Sequence, residues 1–190
     1  TVHTRDMDHD YMLSDSAQAC PAVVPLIKAL STTPAMQQVS NDLSALSQQL
    51  AQLVGSADVT AVRDHTWCRR CTGRVDFAGL TDSLFQWIDG NKTLDAFLRA
   101  STPRLQQLGI GPLFNNVVRM MRGIESGVPM PLWAHYSGHD STTIAVLAVL
   151  LGTGDDLSSM PLWPAYASHV EMELWQDGTD GAFYVQVVIN

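Results

Sequence analysis

The stretch HYSGHDSTTIAVLAVLLG, residues 135–152, decides how the fold is read from the sequence. It joins the apolar run PLWAHYS, residues 131–137, to the apolar run STTIAVLAVLLG, residues 141–152. The first run is typical of a buried strand and the second of a buried helix. Because a strand that leads directly into a helix is typical of a parallel sheet covered by helices, we predict an α/β fold.

His139 and Asp140 lie in the predicted turn between this strand and this helix. In an open α/β sheet, ligands bind at the carboxyl ends of the strands, where the N-termini of helices favour anions. A histidine at that place can contact a phosphate group, and a carboxylate can protonate a leaving group. In the alternative interpretation, Asp140 or Ser141 only caps the helix, which contributes ~1 kcal/mol, and His139 is a hydrogen-bonded turn residue. The spacing alone leaves both interpretations open.

The composition argues against several classes of protein. Hydrophobic residues make up 46% of the 190 residues and charged residues 16%, which predicts a globular chain with a real core. So few charges also predict that a partner covers part of the surface. A formal net charge of −8 argues against non-specific nucleic-acid binding, and the longest apolar run, residues 144–151, is too short to span a membrane. Since the chain begins with Thr1 rather than methionine, we expect a processed chain or a piece of a longer one.

The chain divides by its local patterns into three segments. Residues 1–30 are irregular in character, with a helix predicted around VVPLIKAL (23–30). Residues 31–108 form a helical subdomain, and residues 109–190 form the C-terminal part of the α/β core. The clearest helix begins after Thr33 as its cap and ends at Gly55. Its apolar residues step by three and four and predict a seam that packs on another helix: Met36, Val39, Leu43, Leu46, Leu50 and Leu53.

The C-terminal segment contains a further helix and a predicted hairpin. The helix covers residues 111–126, GPLFNNVVRMMRGIES, and has one apolar side. Two strands follow after the His-Asp turn and its helix, within HVEMELWQDG (169–178) and FYVQVVIN (183–190). The turn sequence DGTDG between them predicts an antiparallel pair.

The three cysteines, Cys20, Cys68 and Cys71, leave at least one thiol unpaired within the chain. WCRRC, which contains Cys68 and Cys71, is best interpreted as a structural disulfide or as inert thiols. A redox pair and a zinc site that includes His65 stay open as alternatives. We predict no metal and no cofactor. Asn91 begins an Asn-Lys-Thr sequon, which has meaning only in a secreted chain.

SGHDSTT, residues 137–143, resembles the His-Asp motif of the histidine acid phosphatases, the branch of the histidine phosphatase superfamily that includes the prostatic and lysosomal enzymes. Three other stretches are similar to family segments in the same order. They are VHT, DYML and CP within residues 2–21, LGIGPLFNNVVRMM at 108–121, and WPAYASHVEMELW at 163–175. The resemblance covers almost the whole chain and implies an incomplete histidine-phosphatase-like fold, with a helical subdomain followed by a strand-helix-hairpin portion of the central sheet.

The resemblance also implies roles for two residues. Asp140 matches the proton donor to the leaving alcohol, and His139 matches the histidine that helps to hold the phosphoryl group. The family nucleophile is a histidine in an Arg-His-Gly-x-Arg motif, and a second arginine motif binds phosphate; neither motif occurs in this sequence. Because losing the nucleophile costs many powers of ten in rate, we predict that this chain is inactive alone.

We therefore favour the interpretation that this chain lacks the phosphohistidine nucleophile and serves as a structural or accessory subunit of a larger assembly. The alternative is the C-terminal fragment of an active acid phosphatase, hydrolysing phosphomonoesters and completed by an N-terminal part not in this chain. In both cases other protein chains should cover the strand at 131–137, and the isolated chain should not be a stable monomer. The resemblance implies a secretory or lysosomal location, and the non-catalytic interpretation implies an organellar or assembly context.

The resemblance bears on the cysteines as well. It implies that the usual disulfide partners of Cys20 and Cys68 do not occur in this sequence. His169 stands where the partner of Cys68 would be expected. The pair Cys68–Cys71 is then the one local bridge left to test.

Overall fold

In the computed structural model the chain is described for residues 20–152 and 163–190. Over these ranges the architecture is mostly helical with a small two-stranded sheet, consistent with the predicted α/β class. The elements are α1 Val23–Leu30, α2 Pro34–Val54, α3 Val59–Cys71, α4 Asp82–Ser101, α5 Pro103–Leu108, α6 Gly111–Glu125, α7 Asp140–Leu151, β1 Val170–Gln176 and β2 Phe183–Ile189. No helix within these ranges is both long and apolar enough to cross a membrane.

The described residues form two compact units. The helical unit contains residues 27–99 together with Trp163. The C-terminal unit contains residues 20–26, 100–152 and 164–190. The His-Asp turn therefore belongs to the C-terminal unit.

Helix α2 of the helical unit begins and ends where the sequence predicts. The Thr33 hydroxyl oxygen accepts a hydrogen bond from the Met36 N–H at 3.4 Å, and Gly55 ends the helix with a left-handed φ of 73°. The predicted seam is confirmed over most of its length. Met36, Val39, Leu46 and Leu50 are buried and Leu43 is half-buried, whereas Leu53 in the last turn is exposed.

This seam belongs to a core that joins three helices of the helical unit. It is formed by Leu46 and Leu50 of α2, Val59 and Val62 of α3, Leu80, and Leu84, Phe85 and Ile88 of α4. A charged group lies beside it, since Arg63 of α3 is only 2% exposed. Its Nε donates to Oδ1 of Asp89 in α4 at 2.7 Å, so the buried guanidinium is paired.

The C-terminal unit has its own small core, in which helices and hairpin meet. Ile110, Leu113 of α6 and Val146 of α7 are buried there, and Val170 and Met172 of β1 pack against them. The predicted hairpin is confirmed as an antiparallel pair, with register partners Val170–Ile189, Met172–Val187 and Leu174–Val185 at successive positions on one face. The helices predicted at 111–126 and 141–152 are confirmed within one residue at each end.

The prediction of a buried strand at 131–137 is wrong. These residues form no strand, and Leu132 and Trp133 are 92% and 79% exposed. The two-stranded antiparallel pair is the whole sheet found within the described ranges, so the parallel sheet is not formed there either. An apolar run becomes a buried strand only when a neighbouring strand pairs with it, and no described segment pairs with residues 131–137.

Candidate functional site

The candidate site residues His139 and Asp140 lie at the N-terminus of α7. His139 is the capping residue, with an extended backbone (φ −100°, ψ 170°), and Asp140 is the first helical residue. The alternative that Asp140 or Ser141 caps the helix is therefore wrong, because the change from extended to helical backbone occurs one residue earlier. Both side chains of the His-Asp pair are exposed to solvent.

Gly138 and Thr142 together set the shape of this turn. The His139 N–H donates to the Thr142 hydroxyl oxygen at 3.2 Å, and the Thr143 N–H donates to the His139 carbonyl at 3.1 Å. A Cβ atom on Gly138 would lie 2.9 Å from the same Thr142 oxygen. The glycine is therefore required by the close approach of Thr142, which in turn satisfies an N–H group at the helix start.

The Asp140 carboxylate lies at the positive end of the α7 dipole. Its Oδ1 accepts a hydrogen bond from the Ser141 N–H at 2.7 Å. The pair thus offers an acidic group and an imidazole side by side, facing solvent, at an end of a helix that attracts anions.

Tyr136 holds the exposed segment before the pair against the C-terminal unit, and the sequence analysis missed it. Its ring packs at the edge of the core, and its hydroxyl lies 2.5 Å from Asn116 Nδ2 and 3.6 Å from Met120 Sδ, both on α6. Sequence reading does not separate Tyr136 from Trp133, since both are aromatic residues of one apolar run. Only the fold shows that Tyr136 is half-buried and that Trp133 faces solvent.

The remaining sequence candidates belong to the helical unit or to ranges that are not described. Cys68 and Cys71 are exposed in the last turn of α3, and Cys71 carries a free thiol, so the local disulfide is not formed. Within residues 20–152 and 163–190, no three His, Cys, Asp or Glu side chains are placed to hold a metal ion. The similarities at residues 2–19 lie outside the described residues.

The sequon residue Asn91 lies inside the helical unit. It is 9% exposed, and its Nδ2 donates to the Trp87 carbonyl at 2.9 Å. A glycan would be attached to this nitrogen, which in the folded unit belongs to a buried side chain and is hydrogen-bonded.

A histidine and an aspartate at the N-terminus of a helix, where anions are favoured, are compatible with a site for a phosphate ester. The comparison with known families agrees with this class. Residues 12–190 match the family described as Histidine phosphatase superfamily (branch 2), and the chain belongs to this superfamily.

Two curated relatives are similar to almost the whole chain. Counting factor 60 of Dictyostelium discoideum is 24% identical over 186 residues, which are 96% of this chain and 43% of that protein. A probable acid phosphatase of Schizosaccharomyces pombe is 25% identical over 196 residues, covering 93% of this chain and 40% of that protein. The chain therefore spans less than half the length of these relatives.

Proposed function

We propose that this chain carries the proton-donor side of a histidine-acid-phosphatase site, is not catalytic alone, and serves as an accessory subunit of a larger assembly. The observation that carries the proposal is the segment 131–137, which is exposed except at Tyr136 and leads directly into His139 and Asp140. The absence of an Arg-His-Gly triplet from all 190 residues supports the inactive part of the proposal. Without that histidine the family's phosphohistidine cannot form within this chain, and Asp140 alone has no such covalent step to assist.

The exposed segment also supports the assembly part of the proposal. Leu132 is 92% exposed and Trp133 is 79% exposed, within an apolar stretch. Full burial of a side chain such as Leu132 stabilises by about 1.5–3 kcal/mol, so covering this stretch favours association. The backbone of residues 132–135 also carries N–H and C=O groups that can pair with an added strand. A polypeptide segment that pairs there would recreate the buried strand that the sequence predicts.

A second candidate is that the assembly completes an active acid phosphatase. The observation that favours it is the solvent-facing placement of both His139 and Asp140, and one relative is described as a probable acid phosphatase. In this case a histidine of another segment attacks phosphorus, the phosphorus–oxygen bond to the alcohol breaks, and Asp140 gives its proton to the leaving oxygen. Water then hydrolyses the phosphohistidine and regenerates the nucleophile. His139 would contact the phosphoryl oxygens.

Hydrolysis of p-nitrophenyl phosphate at acid pH separates the two candidates. The isolated chain should release no nitrophenol, and turnover by the isolated chain would overturn the proposal. If the native assembly is active and Asp140→Asn lowers kcat by about 10²-fold or more, the second candidate holds. Asp42→Asn on α2 is the matched control and should leave that rate unchanged. An inactive native assembly supports the accessory role.

A binding measurement tests the covering segment independently of activity. Leu132→Glu should weaken association with the native partner at least 10-fold, because it places a charge in the apolar stretch. Val75→Glu is the control, since Val75 is also highly exposed, at 86%, but lies in the helical unit. Equal effects of the two variants would contradict the placement of the partner at 131–137.

A further inference from the structure

The outer edge of β2 differs from the rest of the hairpin in its chemistry. β2 contains no charged residue over Phe183–Ile189, whereas β1 carries Glu171 and Glu173. Edge strands usually carry charges or prolines that prevent pairing with another chain. β2 has neither, and no strand within the described ranges lies beside its outer edge.

The ladder shows which residues of β2 turn their backbone groups outward. His169 and Asn190 exchange two hydrogen bonds, at 3.0 and 3.1 Å, and the Asp177 N–H donates to Ala182 at the other end of the hairpin, at 2.8 Å. Hydrogen-bonded and non-bonded pairs alternate along an antiparallel ladder. The alternation from these two ends makes Gln186 and Glu173 a hydrogen-bonded pair. The outward-facing N–H and C=O groups of β2 then belong to Phe183, Val185, Val187 and Ile189.

The side chains of these outward-facing residues are apolar and incompletely covered. Val185, Val187 and Ile189 are 50%, 39% and 49% exposed. They stand opposite Leu174, Met172 and Val170, which share their face of the sheet. Val170 and Met172 pack on the helices of the unit. These helices therefore cover β1 better than β2. The apolar face of β2 therefore continues to the open edge.

We propose that a second copy of this chain pairs antiparallel with β2, about a two-fold axis that passes between the two Gln186 residues. This register pairs Phe183 with the partner's Ile189 and Val185 with the partner's Val187. All four outward-facing residues then exchange backbone hydrogen bonds, because each of them meets another outward-facing residue. The product is a four-stranded sheet with one continuous apolar face.

Self-complementarity and charge favour a second copy over another occupant. The sequence FYVQVVI has apolar residues at equal distances on both sides of its central glutamine, so the strand matches its own reverse. Each chain carries a formal net charge of −8, which opposes self-association at most surfaces. At the β2 edge the two copies would meet without charge repulsion, because neither pairing strand carries a charged residue. Opposite glutamine side chains can also hydrogen-bond each other across the axis.

The experiment places a positive or a negative charge at Gln186, the residue on the proposed two-fold axis. The wild-type chain should sediment at twice the monomer mass at tens of micromolar. Gln186→Lys and Gln186→Glu should each weaken the dimer at least 10-fold, since each places like charges opposite each other. An equimolar mixture of the two variants should restore the dimer, which also shows that both variants are folded. Gln37→Lys is the control, because Gln37 is an exposed residue of α2, and it should leave the dimer intact.

A wild-type chain that stays monomeric, or one that binds only an unrelated protein through β2, would overturn the proposal. So would a Gln186→Lys variant as dimeric as the wild type, or a mixture that stays monomeric. The pairing uses the hairpin and does not depend on the proposed function. Loss of the dimer in Gln186→Lys together with unchanged partner binding at 131–137 would distinguish the two surfaces.

Discussion

The Tyr136 hydroxyl lies 2.5 Å from Nδ2 of Asn116, which fastens the segment before the His-Asp turn to α6. Tyr136 is three residues from His139 and lies at the edge of the C-terminal unit's core, while Leu132 and Trp133 before it face solvent. The position of the candidate site therefore depends on a residue that has no place in the proposed chemistry.

Tyr136→Phe should loosen the His-Asp turn. The change removes the hydroxyl contact with Asn116 and keeps the packed ring, which costs about 1 kcal/mol of local stability. Exchange of the hydrogen-bonded amides of His139 and Thr143 should become about 5-fold faster for that free-energy change. Tyr184→Phe is the control, because Tyr184 is 51% exposed on β2, and it should leave these amides unchanged. Unaltered exchange in Tyr136→Phe would refute the anchoring role.

Gly138→Ala should destabilise the start of α7. The new Cβ would lie 2.9 Å from the Thr142 oxygen, which now accepts the His139 N–H. Displacing that oxygen removes a capping interaction, and we expect a loss of about 1 kcal/mol in the free energy of unfolding by urea. Gly178→Ala is the control, since nothing lies within 4 Å of a Cβ at that position. Equal losses in the two variants would mean that Thr142 does not require the glycine.

The two carboxylates bonded to Arg63 should differ greatly in their effect on stability. The Arg63 side chain is 3% exposed and that of Asp89 17% exposed, whereas that of Asp64 is 54% exposed. Trp67 Nε1 also donates to the Asp89 oxygen, at 3.0 Å. Asp89→Ala leaves a buried charge without its main partner and should cost about 3–5 kcal/mol.

Asp64→Ala removes an exposed partner of the same guanidinium, through Nη1 at 3.1 Å, and should cost less than about 1 kcal/mol. Urea unfolding of the two variants side by side measures the difference. Similar losses would show that the burial of Asp89 does not strengthen its pairing with Arg63.

The hairpin turn should respond to acid through Asp177. Hydrogen bonds from the Thr179 hydroxyl and the Thr179 N–H hold the pKa of Asp177 below its ordinary value of 3.8. A lowered folded-state pKa means that the stabilisation is complete above the ordinary value and is lost as pH falls through the lowered value.

Thr179→Ala should raise the pKa of Asp177 toward its ordinary value in a carboxyl-carbon NMR titration, whereas Thr179→Ser keeps a hydroxyl donor and should keep it low. The same pKa in Thr179→Ala and the wild type would exclude the hydroxyl as a cause.

Several elements could be predicted from the sequence because their signals are local. Thr33 and Gly55 mark the ends of α2 through backbone groups only a few residues away, and the turn DGTDG pairs two neighbouring strands. The segment at 131–137 could not be predicted in this way. Its composition suits a buried strand, but pairing and burial require a neighbouring strand, which the local residues do not encode.

The sequence by itself determined the ends of α2, α6 and α7 to within one residue and the place of the hairpin, and it put the His-Asp pair at the start of α7. These features depend on caps, turns and apolar periods, which act within a few residues. Only the tertiary structure decided that Arg63 is buried, that Tyr136 anchors the turn and that Trp133 faces solvent. Burial depends on which distant segments meet. For that reason one aromatic residue of a run can pack on the core while another faces solvent.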